Sequence, residues 1–173
     1  MSRISLLKCI AVLGLLASCR SEKPATLEEY PRWVGDIGFD SNLDDPAFQL
    51  CKDDYRAKQY FNMNEGVQFE GEKPAIDTYF KNVYKKPENS NQSGLIRIRF
   101  MVNCKGETGR FRLISSNNEY QSMAFSEEIS TQLLELTKGL EGWKPLKMNS
   151  LEVDYYQYLI FRIEKGEIIE ILP

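Results

Sequence analysis

No histidine occurs anywhere in the chain. That absence removes the commonest general base, the commonest metal ligand and the physiological pH switch together. Serine–histidine and cysteine–histidine catalysis are excluded, and a zinc site would fall to carboxylates and cysteines. Cysteine is itself scarce, with four in 173 residues, and no two stand at the Cys-x-x-Cys spacing that marks a zinc site. Basic clusters are lacking too. With 22 Lys and Arg against 25 Asp and Glu, the net charge is −3, and nucleic-acid binding has no electrostatic support. Long apolar runs are also missing: the longest, residues 9–17, is about half of the roughly 20 residues a spanning helix needs.

The context of that short run is informative. It follows the basic start Met1-Ser2-Arg3-Ile4-Ser5-Leu6-Leu7-Lys8 and leads into Leu16-Ala17-Ser18-Cys19. This is the n-region, h-region and small-residue cleavage site of a secretory signal. The last four residues resemble the lipobox of bacterial lipoproteins, in which the signal is cut before a cysteine that becomes acylated. The resemblance implies that residues 1–18 are a signal peptide and that Cys19 carries the lipid, palmitate included. Acyl chains contribute about 0.8 kcal/mol per buried methylene, so several together make a stable anchor. The implied address is the cell envelope, at the outer membrane of a Gram-negative bacterium, with the periplasmic or the outer face left open.

If Cys9 leaves with the signal and Cys19 takes the lipid, Cys51 and Cys104 remain. Two cysteines in an oxidising compartment read most simply as one disulfide, and two unpaired thiols are the alternative. Closing a loop of about 54 residues would stabilise by about 4 kcal/mol on the chain-entropy model. The roughly 155 residues after the signal match the usual size of one domain.

Along the chain, residues 19–29 read as a polar tether and residues 30–73 as a wrapping segment carrying Trp33, Phe39 and Phe48. Its carboxylates Asp36, Asp40, Asp44 and Asp45 lack the Asp-x-Asp-x-Asp-Gly spacing of a calcium loop and read as solvated turn residues. No metal or cofactor is expected. A helix is predicted over residues 74–84, with Pro74 near its start and Ile76, Tyr79, Phe80 and Val83 at helical spacing. Residues 95–115 read as a β-hairpin. In it, Ile96, Ile98, Phe100 and Val102 alternate with Arg97 and Arg99, and Phe111 and Leu113 alternate with Arg110 and Arg112. A second helix is predicted over residues 126–138, with Ser126 as N-cap, Ile129, Leu133, Leu136 and Leu140 on its buried stripe, and Gly139 ending it. A long strand over 151–163 follows, its apolar row interrupted by Gln157, then a tight turn at Lys165-Gly166 and a short last strand over 167–172. The expected fold is α+β, residues 74–173 forming an antiparallel sheet with both helices packed on one face.

This order of hairpin, helix, Trp143-Lys144-Pro145 loop and long strand resembles the TonB C-terminal domain family. The matching elements are Ile98-Arg99-Phe100-Met101-Val102, the turn Asn103-Cys104-Lys105-Gly106, the second helix, and Leu159-Ile160-Phe161, within about residues 74–163. TonB proteins keep an uncleaved transmembrane helix and a proline-rich spacer. This chain has a cleavable lipid signal and a short tether instead, so energy transduction by that route is not expected. The resemblance implies recognition by pairing a peptide strand onto an exposed sheet edge. The expected function is therefore a non-enzymatic, lipid-anchored envelope protein that binds another envelope protein or an extended peptide. The alternative is a structural or assembly-accessory lipoprotein that interacts through residues 30–69. Tyr155, Tyr156 and Tyr158 are candidate partner-binding residues, against a plainer reading as β-propensity and core packing. Were Ile168, Ile169 and Ile171 to pair back on the long strand, they would cover the edge a partner would use. Scattered carboxylates such as Asp53-Asp54 match no catalytic motif.

Overall fold

The alternation of residues 94–116 sets the architecture. The computed structural model describes residues 37–52, 57–59 and 66–172, all within one unit, Asp36–Pro173. The signal segment, Cys19, Trp33, Asp36 and Asp53-Asp54 lie outside the described residues. In chain order the elements are β1 (Lys58–Gln59), α1 (Glu72–Val83), β2 (Gly94–Val102), β3 (Thr108–Ser116) and α2 (Glu127–Lys138). They continue with β4 (Leu146–Met148), β5 (Leu151–Val153), β6 (Tyr155–Glu164) and β7 (Glu167–Leu172). Among the described residues no helix is long and apolar enough to cross a membrane.

The fold is α+β, with a mixed main sheet and a separate two-stranded one. Strand β6 lies between β2, antiparallel along its length, and a second flank shared by β1 and β7. The expected wholly antiparallel sheet is thus corrected: Lys58 and Gln59 pair in parallel with Tyr155 and Tyr156. The reason lies next to the disulfide. The Cys51 N–H is held by the Asp154 carboxylate, and the Lys58 N–H donates to the Asp154 carbonyl at 2.9 Å, which sets Lys58 and Gln59 beside the start of β6.

Inward residues of β2 (Ile96, Ile98, Phe100, Val102) and of β6 (Tyr155, Leu159, Phe161, Ile163) form one buried cluster. Ile76 and Phe80 of α1 and Ile129 and Leu133 of α2 complete it. Their i,i+4 spacing places each helical pair on one stripe. The opposite register positions carry a smaller core, in which Met101 and Tyr156 meet Ile37, Phe48, Leu50 and Ala57. Arg112 fastens this segment by bonding Asp44 and the Gly38 carbonyl, and Arg110 donates to the Ile37 carbonyl at 3.1 Å. A β-bulge opposite Phe100 puts Arg110 in the left-handed region at φ 54°.

The single long strand expected over 151–163 is in fact two. Residues Leu151–Val153 fold back on Leu146–Met148 through Asn149 and Ser150, whose φ values of 50° and 67° suit a two-residue hairpin turn. Asp154 then breaks the run and β6 begins.

Candidate functional site

Helix α1 and strand β7 face each other across a groove of about 540 Å³, within the size range of ligand pockets. The helix starts after Gly71, left-handed at φ 74°, and ends at Tyr84, whose extended backbone breaks the helical repeat while its N–H still reaches the Phe80 carbonyl. The strand starts after Lys165 and Gly166, at φ 49° and 80°, the two-residue turn read from the sequence. That turn is docked. Lys165 N–H donates to Ser93 Oγ, Gly166 N–H to the Gln92 carbonyl, and the Tyr84 hydroxyl to the Gly166 carbonyl at 2.8 Å. Burial pushes the Tyr84 phenol up to about 12, so it is a neutral donor there.

Phe80, fully buried, is set edge-on against Phe161 at 4.8 Å and lines the groove with Tyr84, Ile168 and Ile171. Charges occupy the rim. Lys73 pairs with Asp77 at 2.6 Å and Lys86 with Glu167 at 3.2 Å, while Glu170 pairs with Arg162 of β6 at 3.4 Å. Lys81, on the helical wall, has no ion pair among the described residues. Beside the groove, β7 pairs with β6 on one side; among the described residues no strand lies along its other side. Of seven exposed large hydrophobic residues among the described residues, Val83, Ile169 and Leu172 belong to these two elements, and Ile169 lines the groove.

The sequence-derived candidates fall elsewhere. Tyr155 and Tyr156 are fully buried and Tyr158 partly so. Tyr155 donates to the Lys144 carbonyl at 3.0 Å and packs in the main core; Tyr156 lies under the Arg99 guanidinium at 4.5 Å. The structure therefore places two of the three inside the protein, because both faces of β6 are covered there: Tyr155 lies in the main cluster and Tyr156 under the segment that carries Ile37, Phe48 and Leu50. The last strand does pair back on β6, covering the edge that a partner was expected to use, and among the described residues β7 and β3 are both edge strands of the sheet.

Cys51 and Cys104 form a disulfide, with Cα atoms 5.9 Å apart. Asp154 lies beside them, and the three side chains offer ligand atoms within 4.8 Å of one another. Both sulfurs are consumed by the bond. The Asp154 oxygens accept N–H groups from Cys51 at 3.1 Å, Cys104 at 3.0 Å and Lys52 at 2.8 Å. The cluster is a structural knot that satisfies a buried carboxylate. Asp40 and Asp44 likewise serve a local turn: Asp44 accepts the Asp40 N–H at 2.8 Å and two bonds from Arg112.

Sequence reasoning missed Asp154 and the groove. A lone acid inside an alternating strand was the available signal for the first; none pointed to the second, which depends on how α1 and β7 are placed. No family model matches the chain, and no curated protein or solved structure matches it.

Proposed function

We propose that this protein is a non-enzymatic, lipid-anchored envelope protein whose domain binds an extended peptide or partner strand along the outer edge of β7. The observation that carries the reading is a strand edge with no partner strand among the described residues, lying beside a groove with a charged rim under a helix. Main-chain bonds to such an edge supply affinity, and pockets for alternate side chains supply specificity. The lipobox-like Leu16-Ala17-Ser18-Cys19 supports the anchor and the outer-membrane address. The order of helix, hairpin, helix and strand, with both helices sharing one cluster against the sheet, supports a TonB C-terminal-like arrangement.

A second reading, assembly through residues 30–69, draws on Leu43 and Phe39, exposed at 68% and 50% on that segment. A photo-crosslinking side chain separates the two. Placed at Ile169 it should capture a protein from native membranes, and placed at Leu43 it should not. Capture at Leu43 alone would favour the second reading, and capture at neither site would remove both.

A further inference from the structure

We infer that the groove between α1 and β7 selects extended peptides carrying a carboxylate, which Lys81 receives. The inference rests on the peptide-binding reading and deepens it. It follows from the charges of the lining: Lys73, Lys81 and Lys86 against Asp77, Glu167 and Glu170. Two of these lysines are matched within the groove by Asp77 and Glu167. Glu170 is matched from outside it, by Arg162 on the neighbouring strand. One positive charge is left over. Lys81 also stands in the last turn of α1, where a cation offsets the carbonyl end of the helix. That role uses its charge and leaves its ammonium hydrogen bonds for a ligand.

Geometry gives the spacing of the ligand. A strand added to the outer edge of β7 would lie about 4.8 Å from it, and alternate side chains would face α1. Those side chains meet the half-buried ring of Tyr84 and the exposed Lys81, three residues before it, while Phe80 floors the groove from within the core. The favoured sequence therefore alternates, with apolar residues facing the groove and one acid among them on the same face.

The test uses full-length protein in detergent micelles and three fluorescein-labelled ten-residue peptides of alternating valine and threonine. They differ only at one central groove-facing position, occupied by Glu, Gln or Lys. Fluorescence anisotropy should rank them Glu, Gln, Lys from tightest to weakest, with steps of about threefold at low salt. Lys81→Glu should reverse the order, and Lys81→Gln should flatten it; Lys81 is exposed, so both variants should keep the wild-type circular dichroism. Equal binding of all three peptides, or an order that Lys81→Glu leaves unchanged, overturns the carboxylate assignment while peptide binding itself stands. Absence of binding by every peptide up to about 1 mM overturns the peptide-binding reading as well. Sedimentation of the protein alone supplies the remaining arm: a dimer that excludes the Glu peptide would assign the groove to a second copy.

Discussion

Asp44 is held as an anion by two hydrogen bonds from Arg112, at 2.6 and 2.8 Å. Those bonds lower its pKa; burial opposes them, and the Asp40 N–H adds to them. A depressed carboxylate contributes stability above its unfolded value of 3.8, and that stability is lost as pH falls through the lower folded value. Asp44→Asn should therefore cost about 2 kcal/mol at neutral pH, the value of charge-assisted bonds. The gap from the parent protein should close as the pH is lowered below 3.8. Urea denaturation at pH 7 and in that acid range measures both; an unchanged gap in acid would place the stabilisation elsewhere. Gly109 makes a steric counterpart on the same face. A Cβ there would lie 2.3 Å from the Phe48 ring, and its backbone is otherwise ordinary. Gly109→Ala should destabilise by about 1–3 kcal/mol through overpacking. Phe48→Ala in that background should recover part of the loss, which a double-mutant cycle would read.

At the scale of elements, the disulfide ties the segment ending at Cys51 to the β2–β3 turn, 53 residues away in sequence. Asp154 fills the junction with three accepted N–H bonds. Replacing both cysteines by serine should lower stability by up to about 4 kcal/mol on the chain-entropy model. Asp154→Ala in the oxidised protein should cost further, since three N–H donors, two of them from half-buried cysteines, lose their acceptor. The denaturation midpoints of both variants test the pair, and an Asp154→Ala protein as stable as the parent would deny the carboxylate its role. Local patterns made several elements legible in the sequence. The hairpin at 95–115 and the stripes Ile76/Phe80 and Ile129/Leu133 follow from periodicities of 2 and about 3.6 residues. The parallel β1, the break at Asp154 and the α1–β7 groove depend on contacts between residues distant in sequence, which periodicity does not encode. Gln157 marks the same boundary. It interrupts an apolar row, and the structure buries it completely, with its amide nitrogen donating to the Tyr158 carbonyl at 3.0 Å. Its side-chain oxygen has no hydrogen-bond partner among the described residues, and we have no physical account of it.

At the scale of the whole molecule, anchoring and recognition should be separable. The groove is built from α1 and β7, and its fastening to the β6–β7 turn runs through Tyr84. These contacts are made by residues between 73 and 171, far from the lipobox in sequence, so altering Cys19 should leave the domain folded. The apolar segment that precedes Cys19 is too short to hold the protein in a bilayer as a spanning helix. Membrane attachment should then rest on acyl chains at about 0.8 kcal/mol per buried methylene, an energy that one substitution removes. Cys19→Ser should abolish incorporation of labelled palmitate and shift the protein from the membrane pellet to the soluble or unprocessed fraction, while Cys9→Ser should change neither. Peptide affinity of the purified Cys19→Ser protein should match the parent in solution. Capture of partners by photo-crosslinking in native membranes should fall, because a lipid anchor would confine the groove near other envelope proteins and raise their effective concentration. Continued palmitate labelling of Cys19→Ser would refute the lipid assignment. Undiminished partner capture by an unanchored but exported protein would show that the domain finds its partner without confinement.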